Sequence, residues 1–264
     1  MTESALAMLA ERAARAAGTV LLAHSKGTVR GIGAKSSATD PVSDADREAE
    51  RTIVDVIHAA RPDDAIVGEE GAAVEGASGL RWLVDPLDGT VNFLYRYPQW
   101  AVSVACLDAE GALAGVVYDP LRDEAFVGAR GEGAHLAGRR LGCTALEDPA
   151  AALVSTGFSY VAAERALQAR RVASMIGHVR DIRRAGSAAL DLAWVAAGRT
   201  DAYVELVVNP WDWAAGALLV REAGGRVTEV PGVRSGLAGI VASGPGLHDA
   251  LVELVERANR LKAP

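Results

Sequence analysis

The sequence predicts an α/β protein, an α+β sandwich in which helix and sheet layers alternate. Apolar residues recur every three or four positions near the N-terminus, short apolar strands fill most of the first half, and strands alternate with helices in the second half. Because half of the 264 residues are hydrophobic, the chain can bury a large core. We therefore expect an α+β lobe over residues 1–150 and an α/β lobe over 151–264, sharing one interface.

Two amphipathic helices open the first half. Apolar spacing predicts one over residues 4–24, and Ser43 is placed to cap a second with its apolar face between Ala49 and Ala60. Residues 25–42, rich in Gly, Ser and Thr, are typical of a loop or loose hairpin. Apolar runs separated by turns then predict strands at 65–68, 81–84, 100–107, 112–118 and 124–128. This pattern predicts helices packed on a largely antiparallel sheet.

The second half alternates between the two kinds of element. Strands are predicted at 152–155, 179–182, 202–206, 227–230 and 239–242. Helices are predicted at 161–177, between Ser187 and Gly198, at 211–223 and from about 246 to 261. Such alternation indicates an α/β layer.

Charge and cysteine content argue against several classes of protein. The net charge is −7 and no long basic stretch is present, so nucleic acid is not an expected partner. No apolar run approaches the ~18 residues of a membrane span, and the N-terminus lacks the pattern of a signal peptide. Cys106 and Cys143 are not spaced as metal ligands, which predicts buried thiols in a reducing compartment. We expect a cytoplasmic protein that binds neither nucleic acid nor membranes.

Acidic residues at strand ends and helix starts are the candidate functional groups. Glu69 follows one predicted strand, Asp85 and Asp88 follow another, and Asp46 and Asp212 lie in first turns of helices. Carboxylates that share a cleft raise one another's pKa unless a counter-charge is present. Oxygen donors without a His or Cys cluster favour Mg²⁺, Mn²⁺ or Ca²⁺ over zinc.

Gly89 and Thr90 add a possible anion site beside these acids. Small residues let backbone N–H groups approach a phosphate, and a helix starting at 90–92 would favour it further. Asp46 and Thr90 could together hold a water for attack on phosphorus. Taken singly, each residue has an ordinary explanation as a turn, a cap or a solvated charge, and so does the pair Arg183-Arg184.

Three segments together resemble the inositol monophosphatase family. They are Gly68-Glu69-Glu70, the stretch from Trp82 to Phe93, and the stretch from Trp211 to Gly216, in a chain whose order and spacing fit from about Lys35 to Gly225. The family belongs to the lithium-sensitive, metal-dependent phosphatases, which include fructose-1,6-bisphosphatase. The resemblance implies a Mg²⁺-dependent enzyme that hydrolyses inositol monophosphate by direct attack of a metal-activated water. It also implies a homodimer with two or three Mg²⁺ per site, Mn²⁺ being possible.

The resemblance implies metal and water roles for matching residues. The first metal would be held by Glu69, Asp85 and the Leu87 carbonyl, and Glu69 would assist a third ion. The second would be held by Asp85, Asp88 and Asp212. Thr90 and Asp46 would orient the water, with Glu69 beside them.

The resemblance also implies substrate contacts. The N–H groups of Gly89 and Thr90 would hold the phosphate. Contacts with a polyol would come from Asp88, Gly186, Ser187, Ala188 and Glu205. Lys35 resembles a loop lysine of the family.

The ester and the kind of function stay open at this point. Residues 206–210, at the expected substrate pocket, are more apolar than in many members of the family. Histidinol phosphate, fructose-1,6-bisphosphate and nucleotide 3′-phosphates or NADP are therefore alternative substrates. A regulatory protein that keeps the fold, or a passive metal-binding protein, are alternatives of another class, although Thr90 and Asp46 would be unnecessary in a passive site.

Overall fold

The computed structural model describes residues 2–27, 31–34, 41–234 and 236–259. Lys35, compared above with a loop lysine of the resembled family, lies outside these residues. The helices in the described part of the chain are α1 (Glu3–Ser25), α2 (Asp44–Ala60), α3 (Thr90–Leu94), α4 (Ala162–Met175), α5 (Ala188–Ala196), α6 (Pro210–Glu222) and α7 (Pro245–Asn259). Over these ranges, no helix has the length and apolar character needed to cross a membrane.

The first large sheet contains the strands of the first half. They are β3 (Ala65–Gly68), β4 (Ala73–Val74), β5 (Arg81–Asp88), β6 (Ala101–Asp108), β7 (Gly111–Asp119), β8 (Glu124–Ala129), β9 (Gly133–Leu136) and β10 (Arg139–Arg140), after a separate hairpin of β1 (Gly33–Ala34) and β2 (Pro41–Val42). Their order is β10-β9-β8-β7-β6-β5-β3-β4. Among the described residues of this sheet, β3 and β5 are the only strands that pair in parallel, which confirms the largely antiparallel prediction.

The second sheet contains the strands of the second half. They are β11 (Leu153–Thr156), β12 (Asp181–Arg183), β13 (Ala202–Val208), β14 (Arg226–Pro231) and β15 (Ala238–Ser243), in the order β12-β11-β13-β15-β14. β11 pairs in parallel with β12 and β13, whereas β15 is antiparallel to β13 and β14.

Three hydrophobic cores join these sheets and helices into five layers. One core joins α1 and α2 to one face of the first sheet, through residues such as Leu21, Ile53 and Trp82. A second joins α5 and α6 to the other face of that sheet and to the second sheet. A third covers the far face of the second sheet with α4 and α7. The layer order helix–sheet–helix–sheet–helix confirms the predicted fold class, while the lobe boundary at residue 150 stays a prediction.

Strand β5 is longer than the sequence predicted. It was expected to end at Val84 but continues to Asp88, with a register shift against β6 between Asp85 and Asp88. Pro86 lies inside this irregularity and has no N–H to donate to a neighbouring strand. The short strands β4, β9 and β10 were not predicted either, because β4 and β9 lie between glycine-rich turns and β10 consists of two arginines.

Candidate active site

The parallel pair β3 and β5 places two acidic residues side by side. Glu69 directly follows β3, and its N–H donates to the carbonyl oxygen of Val84 at 3.0 Å. Asp85 is the next residue of β5 and is only 2% exposed. Because β3 and β5 pair in parallel up to the residues before them, Glu69 and Asp85 lie side by side.

Asp212 completes a cluster of three carboxylates. It lies in the first turn of α6, where its Oδ2 accepts hydrogen bonds from the backbone N–H of Asn209 at 2.7 Å and from the Asn209 side chain at 3.3 Å. Carboxylate oxygens of Glu69, Asp85 and Asp212 all lie within 4.8 Å of one another. The structure therefore brings together three predicted metal ligands from distant parts of the chain.

The electrostatics of this cluster leave a deficit of positive charge. Burial raises the pKa of Asp85 well above its usual value, and the charges of Glu69, Asp88 and Asp212 raise it further. Burial likewise raises the pKa of Asp212, with Glu69 and Asp88 adding to the effect. Carboxylates whose pKa is raised in this way accept either a proton or a cation. The all-oxygen donor set fits a hard divalent cation, so the residues present fit the metal that the sequence predicts.

Leu87 links the cluster to Thr90. The Leu87 N–H donates to Asp85 Oδ1 at 3.0 Å, and the Leu87 carbonyl oxygen lies 3.1 Å from Thr90 Oγ1. Thr90 Oγ1 also lies 3.1 Å from Asp46 Oδ1. The hydroxyl has one proton, so it donates to one of these two oxygens at a time. The predicted partners Thr90 and Asp46 are therefore in direct contact beside the carboxylate cluster.

Asp88 contacts the start of α5. Its Oδ2 accepts from the Ser187 hydroxyl at 2.5 Å and from the Ala189 N–H at 2.8 Å. Burial raises the pKa of Asp88 to about 6, while these two hydrogen bonds act in the opposite direction. Asp88 thus joins the first sheet to the segment that holds Gly186, Ser187 and Ala188, and these three residues line the same cleft.

Glu205 forms part of the far wall of the cleft. Its Oε2 accepts from the Tyr203 hydroxyl at 2.8 Å. Burial raises the pKa of Glu205 to about 7, although the Tyr203 hydrogen bond and the charge of Arg184 lower it. Gly89, Thr90, Leu87 and Asp88 line the cleft together with Glu205, so all predicted site residues except the buried Asp46 border it.

Sequence reasoning missed Asp191 and undervalued Arg184. Asp191 lies in α5, lines the cleft, and its Oδ1 has no hydrogen-bond partner among the described residues. Burial raises its pKa, and the charges of Glu205 and Asp88 raise it further. An acid within the otherwise apolar helix Ala188–Ala196 is a signal that was available. Arg184 lines the cleft, whereas Arg183 does not line it and pairs with Asp181 at 2.6 Å.

Comparison with known proteins identifies the family. The model of the inositol monophosphatase family matches residues 3–260. The chain belongs to this family. The resemblance inferred from three segments is therefore confirmed, and family members named inositol-1-monophosphatase support a phosphatase enzyme family. The family is metal-dependent, in agreement with the acidic cluster.

Individual relatives match over nearly their whole length. An inositol-1-monophosphatase of Mycobacterium leprae is 43% identical, with 99% of this chain and 92% of the relative covered. A protein of Escherichia coli K12 named Nus factor SuhB is 40% identical, with 92% and 93% covered. The solved structure of extragenic suppressor protein suhB from Bartonella henselae has a TM-score of 0.88 at 36% identity, with 97% and 99% covered. Relatives with the same fold thus carry both enzymatic and non-enzymatic names.

Proposed function

We propose that this chain is a Mg²⁺-dependent phosphomonoesterase that hydrolyses inositol monophosphate to inositol and phosphate. The observation that carries the proposal is the contact between Thr90 and Asp46 beside the cluster of Glu69, Asp85 and Asp212. A passive cation site would need the carboxylates alone. A phosphatase also needs groups that orient water and receive its proton, and the contact between Thr90 and Asp46 supports this role for the pair.

The cluster would hold the cations in two groups of ligands. Glu69, Asp85 and the Leu87 carbonyl would bind one cation, Asp85, Asp88 and Asp212 would bind another, and Glu69 would assist a third. Asp88 Oδ2 also accepts hydrogen bonds from Ser187 and Ala189, which would orient this carboxylate. Mg²⁺ bound here would polarise the phosphoryl group and lower the pKa of water.

Thr90 and Asp46 would handle the proton of the attacking water. When the Thr90 hydroxyl donates to Asp46 Oδ1, its lone pairs are free to accept a hydrogen bond from that water. Proton transfer through Thr90 Oγ1 would then end on the Asp46 carboxylate. The backbone N–H groups of Gly89 and Thr90 would hold the phosphate, and Gly186, Ser187, Ala188, Asp88 and Glu205 would contact the hydroxyl groups of the polyol.

Alternative esters use the same chemistry. Val207, Val208 and Leu237 give the cleft wall an apolar component beside Glu205. Histidinol phosphate, fructose-1,6-bisphosphate and nucleotide 3′-phosphates or NADP therefore remain the second choice of substrate.

A regulatory role is the alternative of another class, supported by the relative named Nus factor SuhB. We also propose that the enzyme is inhibited by lithium, forms a homodimer and is cytoplasmic.

A phosphate-release screen tests this proposal. Wild-type chain is incubated with each of these esters in Mg²⁺, in Mg²⁺ with Li⁺, and in EDTA. We expect the highest kcat/KM for inositol 1-phosphate, with activity lost in EDTA and reduced by Li⁺. A higher value for another ester would contradict the choice of substrate. Absence of release from every ester would favour the regulatory alternative.

A further inference from the structure

The carboxylate of Glu50 supports the turn that carries Glu69. Glu50 lies on α2 and is 6% exposed. Its Oε2 accepts from the backbone N–H of Glu70 at 2.8 Å, and its Oε1 accepts from that of Ala72 at 2.9 Å. Hydrogen bonds from N–H groups to an ionised carboxylate are about twice as strong as neutral ones. Glu50 therefore fixes the backbone directly after Glu69 at two points.

Gly68, on the other side of Glu69, leaves room for the Glu50 carboxylate to come close to the turn. A Cβ added to Gly68 would lie 2.1 Å from Glu50 Oε2 and 2.6 Å from its carboxyl carbon. The Gly68 N–H donates to the Ala72 carbonyl oxygen at 2.8 Å, which closes the turn. The Glu50 carboxylate thus fills the space that any larger residue at position 68 would occupy.

The same helix also positions the opposite side of the site. Asp46 lies four residues before Glu50, one turn away on the same face of α2. Asp46 contacts Thr90, and Glu50 contacts the turn of Glu69. One rigid element therefore fixes both the water-orienting pair and one edge of the carboxylate cluster.

We infer that Glu50 is a positioning residue that holds Glu69 for the divalent cation. This inference rests on the proposed function, because it assigns Glu69 to the cation. Groups that orient metal ligands from outside commonly change metal affinity by about 10- to 100-fold when they are replaced. The competing interpretation is that Glu50 stabilises the turn without any effect on cation binding.

Two variants of the full chain test the inference by calorimetric titration with Mg²⁺. Glu50→Gln keeps the side-chain volume but has one acceptor oxygen for two N–H donors, so one donor faces an amide NH₂. Gly68→Ala keeps every charge and displaces the Glu50 carboxylate sterically. We expect both variants to raise the Kd for Mg²⁺ by about 10- to 100-fold. Agreement between them would show that geometry, not the lost charge, is responsible.

Asp64→Asn is the matched control. Asp64 is fully buried and accepts hydrogen bonds from Arg61, Ser78 and Trp82, but it precedes β3 whereas Glu69 follows it. We expect this variant to lower the thermal midpoint and leave the Kd for Mg²⁺ unchanged. A wild-type Kd in both test variants, or an equal loss of affinity in Asp64→Asn, would overturn the inference.

The titration also separates the inference from the proposed function, because it needs no ester. A wild-type chain that binds Mg²⁺ and releases no phosphate contradicts the proposed function alone. An active wild-type chain whose Glu50→Gln and Gly68→Ala variants bind Mg²⁺ normally contradicts the positioning role alone. A wild-type chain that binds neither Mg²⁺ nor Mn²⁺ overturns both.

Discussion

Thr90 Oγ1 lies 3.1 Å from Asp46 Oδ1, although 44 residues separate the two in the sequence. Asp46 is itself held in place, since its Oδ2 accepts from the backbone N–H of Ser43 at 2.9 Å in the capping box of α2. Asp46 is fully buried, so its orientation is fixed by the fold. The N3 residue of the capping box and the proposed proton acceptor are therefore the same side chain, so the acceptor is held in place before any substrate binds.

Replacement of Thr90 by Val tests this relationship. Val has the same shape as Thr but no hydroxyl, so it removes the contact with Asp46 and leaves the packing. Because a positioned acid–base group contributes about 10²- to 10⁴-fold, we expect kcat to fall by that order. Steady-state phosphate release from inositol 1-phosphate in saturating Mg²⁺ measures the change.

Thr90→Ser is the control, because it keeps the hydroxyl and should keep most of kcat. Calorimetry should show that Mg²⁺ still binds to Thr90→Val. A Thr90→Val enzyme with wild-type kcat would exclude a proton-handling role for Thr90.

The carboxylates and the layer order were predictable from the sequence because both depend on local patterns. Asp85 and Asp88 follow the apolar run 81–84, and Asp212 follows a helix start, so their places beside these elements could be deduced, although β5 continues through both aspartates. The surroundings of Glu50 and Asp191 could not, since each depends on residues in other elements, such as Glu70 for Glu50 and Asp88 for Asp191. The register shift around Pro86 could not be predicted either, because pairing register is a property of two strands.

Asp212→Asn should separate stability from cation binding. The pKa of Asp212 is raised by burial and by neighbouring carboxylates, so its charge destabilises the cation-free fold. Asparagine removes that charge, and its side-chain oxygen can still accept from the Asn209 N–H. We expect a gain of about 1.4 kcal/mol in the free energy of unfolding per pKa unit relieved, measured in EDTA at pH 8. Binding of Mg²⁺ and turnover should be lost.

Asp249→Asn is the comparison variant for this gain. Asp249 is exposed and pairs with Arg226 at 2.8 Å, and this partner lowers its pKa. Removal of its charge should therefore give no stabilisation. If Asp212→Asn were less stable than wild type in EDTA, repulsion within the cluster would not be the dominant effect at this site.

The pH dependence of stability should follow the same carboxylates. The pKa is raised to about 6 for Asp88 and to about 7 for Glu205, and is well above its usual value for Asp85 and Asp212. Between pH about 4 and about 7 the folded chain then binds more protons than the unfolded chain, so stability falls as the pH rises. We expect the thermal midpoint in EDTA to decrease through this window and Mg²⁺ to reduce the decrease, because the cation replaces the protons.

The difference between wild type and Asp212→Asn isolates the contribution of the cluster. Burial lowers the pKa of His248, which gives the opposite sign because stability is lost as the pH falls. His248 is present in both proteins, so its effect cancels in the difference. A difference that does not change between pH 5 and pH 8 would contradict the raised pKa of Asp212.

Gly89→Ala tests how tightly the turn that is proposed to bind phosphate is built. Gly89 has a φ of +97°, and an added Cβ would lie 3.0 Å from the carbonyl oxygen of Gln99 and 3.2 Å from that of Gly186. Gly79 has a similar φ of +84° with no atom within 4 Å of its Cβ position. Gly79→Ala should therefore lower the free energy of unfolding, measured by urea denaturation, by about 1–2 kcal/mol, which is the cost of a positive φ for a residue with a Cβ.

Gly89→Ala should lower the free energy of unfolding more than Gly79→Ala does, because two backbone oxygens would have to move as well. Displacement of the Gly186 carbonyl would shift the segment leading into α5, whose start holds Asp88 through Ser187 and Ala189. We therefore expect Gly89→Ala to lose turnover as well as stability, while Gly79→Ala keeps its turnover. Equal losses of stability in the two variants would mean that φ alone, and not the close approach of the two segments, explains glycine at position 89.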